Sequence, residues 1–356
     1  MRRKQIKLLN GAVFISCIVI LGLYSSRAIT IPDANIPLLA RGAVFRRMET
    51  LYQDSFPLKG VATGFWAALN FQLFHEGRNG VIVGKDNWLF SSEEYSFPAN
   101  FQEIWDKNLQ RIIRQVQLLR KNDIQVLVAL VPEKVDLYRN MLTKDSEHNS
   151  INLYNRSYAY LTGRGLRVVN LRNALAAAVH RGQQVFFRTD THWTVHGSRL
   201  AARAIADDNS LPYGEEKFVT GKKETKTLSG DLMNFIPTGS FFAQFGPPPD
   251  TMSTVTIRKE EEDDVELFTD TVLNTALVGT SYSADKRWQF VDWLQLFLHK
   301  ELINYADTGT GPFAPMKTFI NENLRNEQQI SFVIWEIPVR YLLVPPDHNT
   351  TGKEIK

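Results

Sequence analysis

The 356-residue chain contains a single cysteine, Cys17. One thiol excludes both an internal disulfide framework and a metal cluster built on cysteines. An excess of charge of either sign is missing too. The 41 basic and 38 acidic residues leave a net charge of +3, without the electrostatic footprint of a nucleic-acid binder. No segment of 20 to 50 residues repeats along the sequence. What is present, 44% hydrophobic and 11% aromatic residues, is enough for a sizeable core.

Long apolar runs are equally scarce, and the one that stands out is at the start. Residues 8–26 are nineteen uncharged, mostly apolar positions, close to the roughly 20 that cross a bilayer as a helix. Arg2, Arg3, Lys4 and Lys7 precede them, which puts the amino terminus in the cytoplasm. The apolar run continues past Cys17 through Ile18 to Leu23, unlike a lipoprotein box. Tyr24-Ser25-Ser26-Arg27-Ala28 is a poor small-residue cleavage site. The expectation is therefore an uncleaved signal anchor over 1–28, a stalk over 29–51 with Pro32 and Pro37, one exported catalytic domain over 52–342, and a tail over 343–356. That topology places a single-pass anchor in the inner membrane and the domain in the periplasm; a cleaved signal peptide is the competing reading.

The exported part alternates helical and strand-like segments. Residues 80–90 have hairpin composition around Gly84-Lys85-Asp86-Asn87. Residues 102–122 carry apolar positions at helical spacing and 124–131 form a nearly continuous apolar run, the order of a helix followed by a buried parallel strand. The same order recurs at 151–161 and 166–171, and at 288–305 followed, after a second helix, by 330–337. A short strand at 275–278 leads through the polar turn 279–284 into a helical stretch over 285–305. An α/β fold results, a mostly parallel sheet with helices on both faces. Residues 211–270 are less regular, with strand-like 254–258 and an acidic run at 260–264 that reads as a solvated loop.

Two short segments carry chemistry: Asp190-Thr191-His192-Trp193-Thr194 and Gly279-Thr280-Ser281-Tyr282-Ser283. A neutral serine hydroxyl attacks an acyl group poorly unless an imidazole takes its proton and a carboxylate orients that imidazole. In an extended segment Asp190 and His192, two apart, project to one face. Ser281 follows a strand and precedes a helix, at the carboxyl edge of the sheet, where helix amino-terminal N–H groups can stabilise an oxyanion. The plainer reading of Ser281 is a turn or N-cap residue. His192 and His196 have the i, i+4 spacing of a metalloprotease helix, but Trp193 stands where that motif needs a glutamate. No third ligand stands out, so neither a metal nor another cofactor is called for. Thr194 is placed to cap a helix over 195–207, with His196 in its first turn. His75, His148, His180, His299 and His348 have no partner pattern.

The two segments, with Gly84-Lys85-Asp86-Asn87-Trp88-Leu89-Phe90, Val131-Pro132-Glu133-Lys134, Gly230-Asp231-Leu232, Gly309-Thr310-Gly311-Pro312-Phe313 and Ile334-Trp335-Glu336-Ile337-Pro338-Val339-Arg340-Tyr341 in order, resemble the SGNH-hydrolase-like domain of the alginate O-acetyltransferases AlgJ and AlgX over roughly residues 50–342. Ending soon after Tyr341, the chain is similar to the AlgJ type or to the related acetylation proteins of cellulose operons. The resemblance implies an SGNH-hydrolase-like (flavodoxin-like) fold, a triad of Asp190, His192 and Ser281, and O-acetylation of an exported exopolysaccharide, alginate or cellulose, through an acetyl-serine. It further implies a membrane-bound acyltransferase of the AlgI type as acetyl source and a polysaccharide secretion complex as partner. An acetylesterase with the same triad, or a non-catalytic glycan-binding component, are the alternatives. For substrate binding, Trp193 offers sugar stacking or packing beside the base, and Tyr282 a hydrogen bond to the acyl group or mere filling. Glu336 and Arg340 flank Pro338 after the last strand and read together, either as a contact to a uronate carboxylate through the planar fork of Arg340 or as an internal salt bridge fixing the sheet's end. Glu133 and Lys134 read equally as ligand contacts at a strand end and as a surface ion pair.

Overall fold

The computed structural model describes residues 2–29, 43–95, 97–143, 150–208, 211–260, 273–324 and 330–346, without the side chains of 2–10, 43 and 150–152. His148, His348 and the acidic run beyond Glu260 lie outside the described residues. Two compact units are present, Met1–Glu76 with Ile236–Gly246, and Gly77–Phe235 with Pro247–Lys356.

The first unit contains helices Arg2–Ser26, Ala43–Ser55 and Lys59–Phe74. Ser55 Oγ donates to the Ser25 carbonyl at 2.9 Å, tying the ends of the first two together. Gly64 lets the third helix meet the backbone of Thr238, whose carbonyl oxygen would lie 2.3 Å from a Cβ at that position. The expected segment 8–26 is helical, yet among the described residues no helix is long and apolar enough to cross a membrane. Of the expected stalk, 30–42 lies outside the described residues and 43–51 is helical.

The second unit begins with the hairpin foreseen at 80–90, strands β1 (Val81–Val83) and β2 (Leu89–Ser91), paired antiparallel. Its turn holds Asp86 and Asn87 at φ of 51° and 60°, a left-handed conformation that short polar side chains tolerate. The remaining strands are β3 (Gln125–Val131), β4 (Arg167–Val169), β5 (Phe218–Leu228), β6 (Asp250–Lys259), β7 (Thr275–Val278), β8 (Ile303–Asn304) and β9 (Phe332–Pro338). Five of them form a parallel sheet in the order β4-β3-β9-β7-β8.

Apolar side chains leave this sheet on both sides, which is why the strands read as unbroken runs. Leu127, Ala129 and Val131 join Leu277 and Ile334 in one core layer. Their neighbours Val126, Val128 and Leu130 join Ala276, Val278, Val333 and Trp335 in the other, the two-residue alternation of a pleated strand. Helix Phe101–Arg120 covers the second layer through Leu109, Ile112 and Val116, and helices Leu171–His180 and Val195–Ala206 cover the first through Leu175, Ala201 and Ile205.

The helical stretch expected over 285–305 is corrected by the structure. Gln289 and His299 take left-handed φ values of 55° each, so the helix spans Phe290–Leu298 only. A left-handed residue ends a helix because its amide turns back to an earlier carbonyl; here the His299 N–H reaches Gln295. The chain then enters β8, which pairs with β7. The strand foreseen at 254–258 is part of β6, paired antiparallel with β5.

Candidate active site

The carboxyl ends of β7, β9 and β3 lie side by side, with Val278 opposite Trp335 and Val131 opposite Pro338, so the segments that follow them meet. Open α/β sheets place their ligands at such an edge. After β7, Thr280 caps the four-residue helix Ser281–Ala284, in which Tyr282 and Ser283 are buried. This turn is clamped by Glu336 of β9. The Thr280 N–H donates to Glu336 Oε2 at 2.7 Å, the Thr280 hydroxyl at 3.0 Å, and the Ser283 hydroxyl at 3.0 Å. Gly279 is what lets the carboxylate approach, because a Cβ there would sit 2.5 Å from Glu336 Oε2. Burial pushes the Glu336 carboxyl up to about 6, with the three donated hydrogen bonds pulling it back.

Ser281 Oγ lies 2.7 Å from His192 Nε2, and His192 Nδ1 lies 2.7 Å from Asp190 Oδ1. With the imidazole proton on Nδ1, that nitrogen donates to the carboxylate and Nε2 accepts from the serine. Asp190 is almost wholly buried at 1% exposure, and its other contacts are backbone amides: the His192 N–H donates to Oδ1 at 2.9 Å and the Asp231 N–H to Oδ2 at 3.0 Å. Burial alone would raise its carboxyl, but the bonds and charge from His192 outweigh it and hold Asp190 below the usual aspartate range. The imidazole ring stacks on Trp288, with centroids 5.1 Å apart and planes at 22°, and lies 4.8 Å from the Tyr282 ring. Aromatic walls on two sides leave the base little freedom to rotate.

Asp231 explains the Gly230-Asp231-Leu232 segment. Its Oδ1 accepts from the Thr191 N–H at 2.8 Å, while its own N–H holds Asp190. Gly230 packs on the chain so closely that a Cβ would fall 2.2 Å from the Thr189 carbonyl oxygen. Asp190, His192 and Asp231 bring ligand atoms within 4.8 Å of one another, the one such grouping among the described residues that could hold a cation. The carboxylates accept from N–H donors and the imidazole nitrogens face Asp190 and Ser281, contacts that a cation would have to displace. His196 stands apart from this cluster in the first turn of Val195–Ala206, the helix that Thr194 caps through the Gly197 N–H at 3.0 Å.

The three residues expected to contact substrate are interior. Trp193 is fully buried and packs edge-on against Tyr282 and against Phe290. The Tyr282 hydroxyl donates to the Thr191 carbonyl at 2.9 Å, and burial pushes its phenol well above the ordinary range. Arg340 pairs with Glu133 at 3.0 Å, and its N–H donates to the same carboxylate at 2.8 Å. The internal salt bridge therefore forms with Glu133 rather than Glu336, through guanidinium Nη1. Lys134, also fully buried, donates to the carbonyls of Leu89, Arg188 and Asp190, the last two at 2.9 and 3.1 Å. Glu133 and Lys134, read equally as ligand contacts and as a surface ion pair, are thus two interior anchors. The stack of Trp288 on His192 and the Glu336 clamp had no local sequence signal, since both act across separate elements.

Residues 81–339 match the family described as SGNH hydrolase-like domain, acetyltransferase AlgX. Similar sequences include the probable alginate O-acetylase AlgJ of Pseudomonas syringae pv. tomato, 36% identical over 98% of this chain and 91% of that protein. The probable alginate O-acetylase AlgJ of Pseudomonas aeruginosa is 34% identical over 88% of this chain and 83% of its own. Among solved structures, the O-acetyltransferase domain of Pseudomonas putida AlgJ superposes with a TM-score of 0.68 at 33% identity, covering 76% of this chain and 95% of that one. Pseudomonas aeruginosa AlgX, at 18% identity, shares the fold with a TM-score of 0.56 over 76% of this chain and 65% of its own.

Proposed function

Because this chain belongs to the family of SGNH hydrolase-like, AlgX-type acetyltransferase domains, we propose that it O-acetylates an exported polysaccharide through an acetyl ester on Ser281. The observation that carries the reading is the unbroken contact from Asp190 through His192 to Ser281, 2.7 Å at each step. His192 Nε2 takes the hydroxyl proton as Ser281 Oγ bonds to the acetyl carbonyl carbon of the donor. The resulting imidazolium, stabilised by ionised Asp190, returns that proton to the departing group. A sugar hydroxyl then gives its proton to Nε2 as its oxygen attacks the acetyl-serine, and Ser281 leaves with the proton. The Thr280 N–H is committed to Glu336 and the Tyr282, Ser283 and Ala284 amides to Thr280, so the Ser281 N–H is the donor of this turn left for the oxyanion.

The names of the AlgJ relatives favour alginate over cellulose as the acceptor. Acetyl-CoA is cytoplasmic, so a periplasmic domain on an N-terminal anchor needs an AlgI-type acyltransferase to pass acetyl groups across the membrane, within a secretion complex. The test is Ser281→Ala, His192→Ala and Asp190→Ala, assayed for acetyl transfer to added polymer and for free acetate. Triad members act as a unit, so each loses ~10⁴-fold or more. Transfer persisting in Ser281→Ala would end the acetyl-serine reading, and wild-type acetate release without polymer acetylation would make the protein an esterase.

A further inference from the structure

A cavity of about 400 Å³ lies among helices Val195–Ala206 and Phe290–Leu298 and strands β5 and β6, within the size range of small-ligand sites. His196, Arg199, Thr220, Lys223, Ser253 and Trp293 line it, and the lining includes no acidic side chain. Two of its ring nitrogens, His196 Nε2 and Trp293 Nε1, are buried without a hydrogen-bond partner among the described residues. Trp293 is only 5% exposed. An indole N–H can only donate, so its orphaned state asks for an acceptor. The Arg199 guanidinium lies over the Trp293 ring, 5.1 Å from its centroid. Neither Arg199 nor Lys223 forms an ion pair among the described residues.

A bulge in β5 builds this wall. Thr220 pairs with Ile257 and Lys223 with Val255, with a register shift between them. In a regular strand, residues three apart point to opposite faces. The extra residue brings Thr220 and Lys223 to the same cavity, which is how bulges re-aim side chains beside functional sites. Two short links run from the cavity to the catalytic base. His196 lies four positions after His192, at most about 14 Å of chain. Val255, in the lining, exchanges two hydrogen bonds with Gln289, of 2.6 and 2.9 Å, and the preceding Trp288 stacks on His192.

We propose that this cavity is a carboxylate-binding subsite that seats a uronate unit of the acceptor polymer. Arg199 and Lys223 pair with the carboxylate, the ring nitrogens of Trp293 and His196 supply hydrogen bonds, and the hydroxyls of Thr220 and Ser253 meet the sugar. The proposal rests on the polysaccharide-acetylation reading and narrows the acceptor to the acidic class.

The test uses the full chain with two probes, an alginate-derived oligouronate and the same oligomer with its carboxyl groups reduced to alcohols. Wild type should bind the oligouronate at least about tenfold more tightly than the neutral oligomer, the scale of one lost hydrogen bond to a charged group. Arg199→Gln combined with Lys223→Gln should weaken oligouronate binding by about tenfold or more and leave the neutral oligomer's affinity where it was. The Trp293 indole proton resonance, identified by its absence in Trp293→Phe, should shift when the oligouronate is added. Equal wild-type affinity for the two probes, or a double variant that binds oligouronate as wild type does, overturns the subsite. Turnover of a small acetyl ester by Ser281→Ala is followed in parallel: its persistence sinks the acetyl-serine reading and leaves the binding comparison standing by itself.

Discussion

Replacing Glu336 isolates the clamp beneath the nucleophile from the nucleophile itself. At neutral pH its carboxylate is charged, fully buried, and met by the Thr280 amide and the Thr280 and Ser283 hydroxyls. Glu336→Ala leaves the Thr280 N–H without its acceptor while the two hydroxyls can turn elsewhere. Leaving a buried donor unpaired costs about 1–3 kcal/mol, and the cavity left by the side chain adds to that, so a loss of ~2–4 kcal/mol is expected. The turn that carries Ser281 then shifts, and a displacement of about 1 Å at a reacting atom lowers turnover by about 10²-fold. Glu336→Gln keeps the shape but has one acceptor oxygen in place of two, so it should retain most of the stability and lose less activity. The pH dependence separates the two contributions. Burial raises the folded-state pKa of Glu336 to about 6 from an ordinary 4.5, so between those values the folded state holds a proton that the unfolded state has released. Its contribution is therefore fully present below about pH 4.5 and is lost as pH rises through 6, a change of roughly 2 kcal/mol. Chemical denaturation of wild type and Glu336→Gln from pH 4 to 7 measures it, with ester turnover followed on the same samples. A wild-type stability profile as flat as that of the glutamine variant, or Glu336→Ala with wild-type turnover, would refute the clamp.

Gly230→Ala pushes a methyl group to 2.2 Å from the Thr189 carbonyl oxygen and 2.6 Å from the Asp190 amide. It should cost about 1–3 kcal/mol in the denaturation midpoint and lower kcat as the Asp231 N–H leaves Asp190; unchanged kinetics would show that this approach is dispensable. Treatment with EDTA should leave acetyl-ester turnover intact, since Asp190, His192 and Asp231 are engaged in hydrogen bonds. Turnover lost to the chelator and restored by a divalent cation would make that cluster a metal centre. If residues 8–26 anchor the protein, it should remain with membranes after a high-salt wash, because salt screens charge but not hydrophobic insertion; release into the wash would refute the anchor.

The sequence was most readable where a single element carries the information. Runs such as 124–131 and 275–278 are buried on both faces, so their composition alone announces strands. The Asp190–His192 pair sits on one short segment, and Thr194 caps its helix from the adjacent position. Legibility failed where one residue's role depends on an element far along the chain. Glu336 was read with Arg340, four residues on, whereas its partners are Thr280 and Ser283, more than fifty residues earlier. Arg340 in turn belongs to Glu133 across 207 residues. Trp193, Tyr282 and Arg340 suited sugar contact by type, but burial decides between packing and binding, and burial is a property of the assembled layers. Strand β5 went unseen because its Lys-Lys-Glu-Thr-Lys-Thr stretch is exposed and offers no hydrophobic alternation. The break at His299 likewise comes from a left-handed backbone turn that apolar spacing does not reveal.

Strand β9 follows β3 and β7 along the chain, and it takes the middle place in the sheet, between them. Until residues 332–338 are available, those two strands have no shared neighbour, and the groups that follow them have no common edge on which to meet. A nascent chain that stops short of β9 accordingly carries Asp190, His192 and Ser281 without the Glu336 clamp. Pairings of such long sequence separation form late and slowly, so the turn that carries Ser281 is braced only once β9 has joined the sheet. The order of synthesis thus acts as a timer, leaving the segment around Ser281 unclamped until β9 is made.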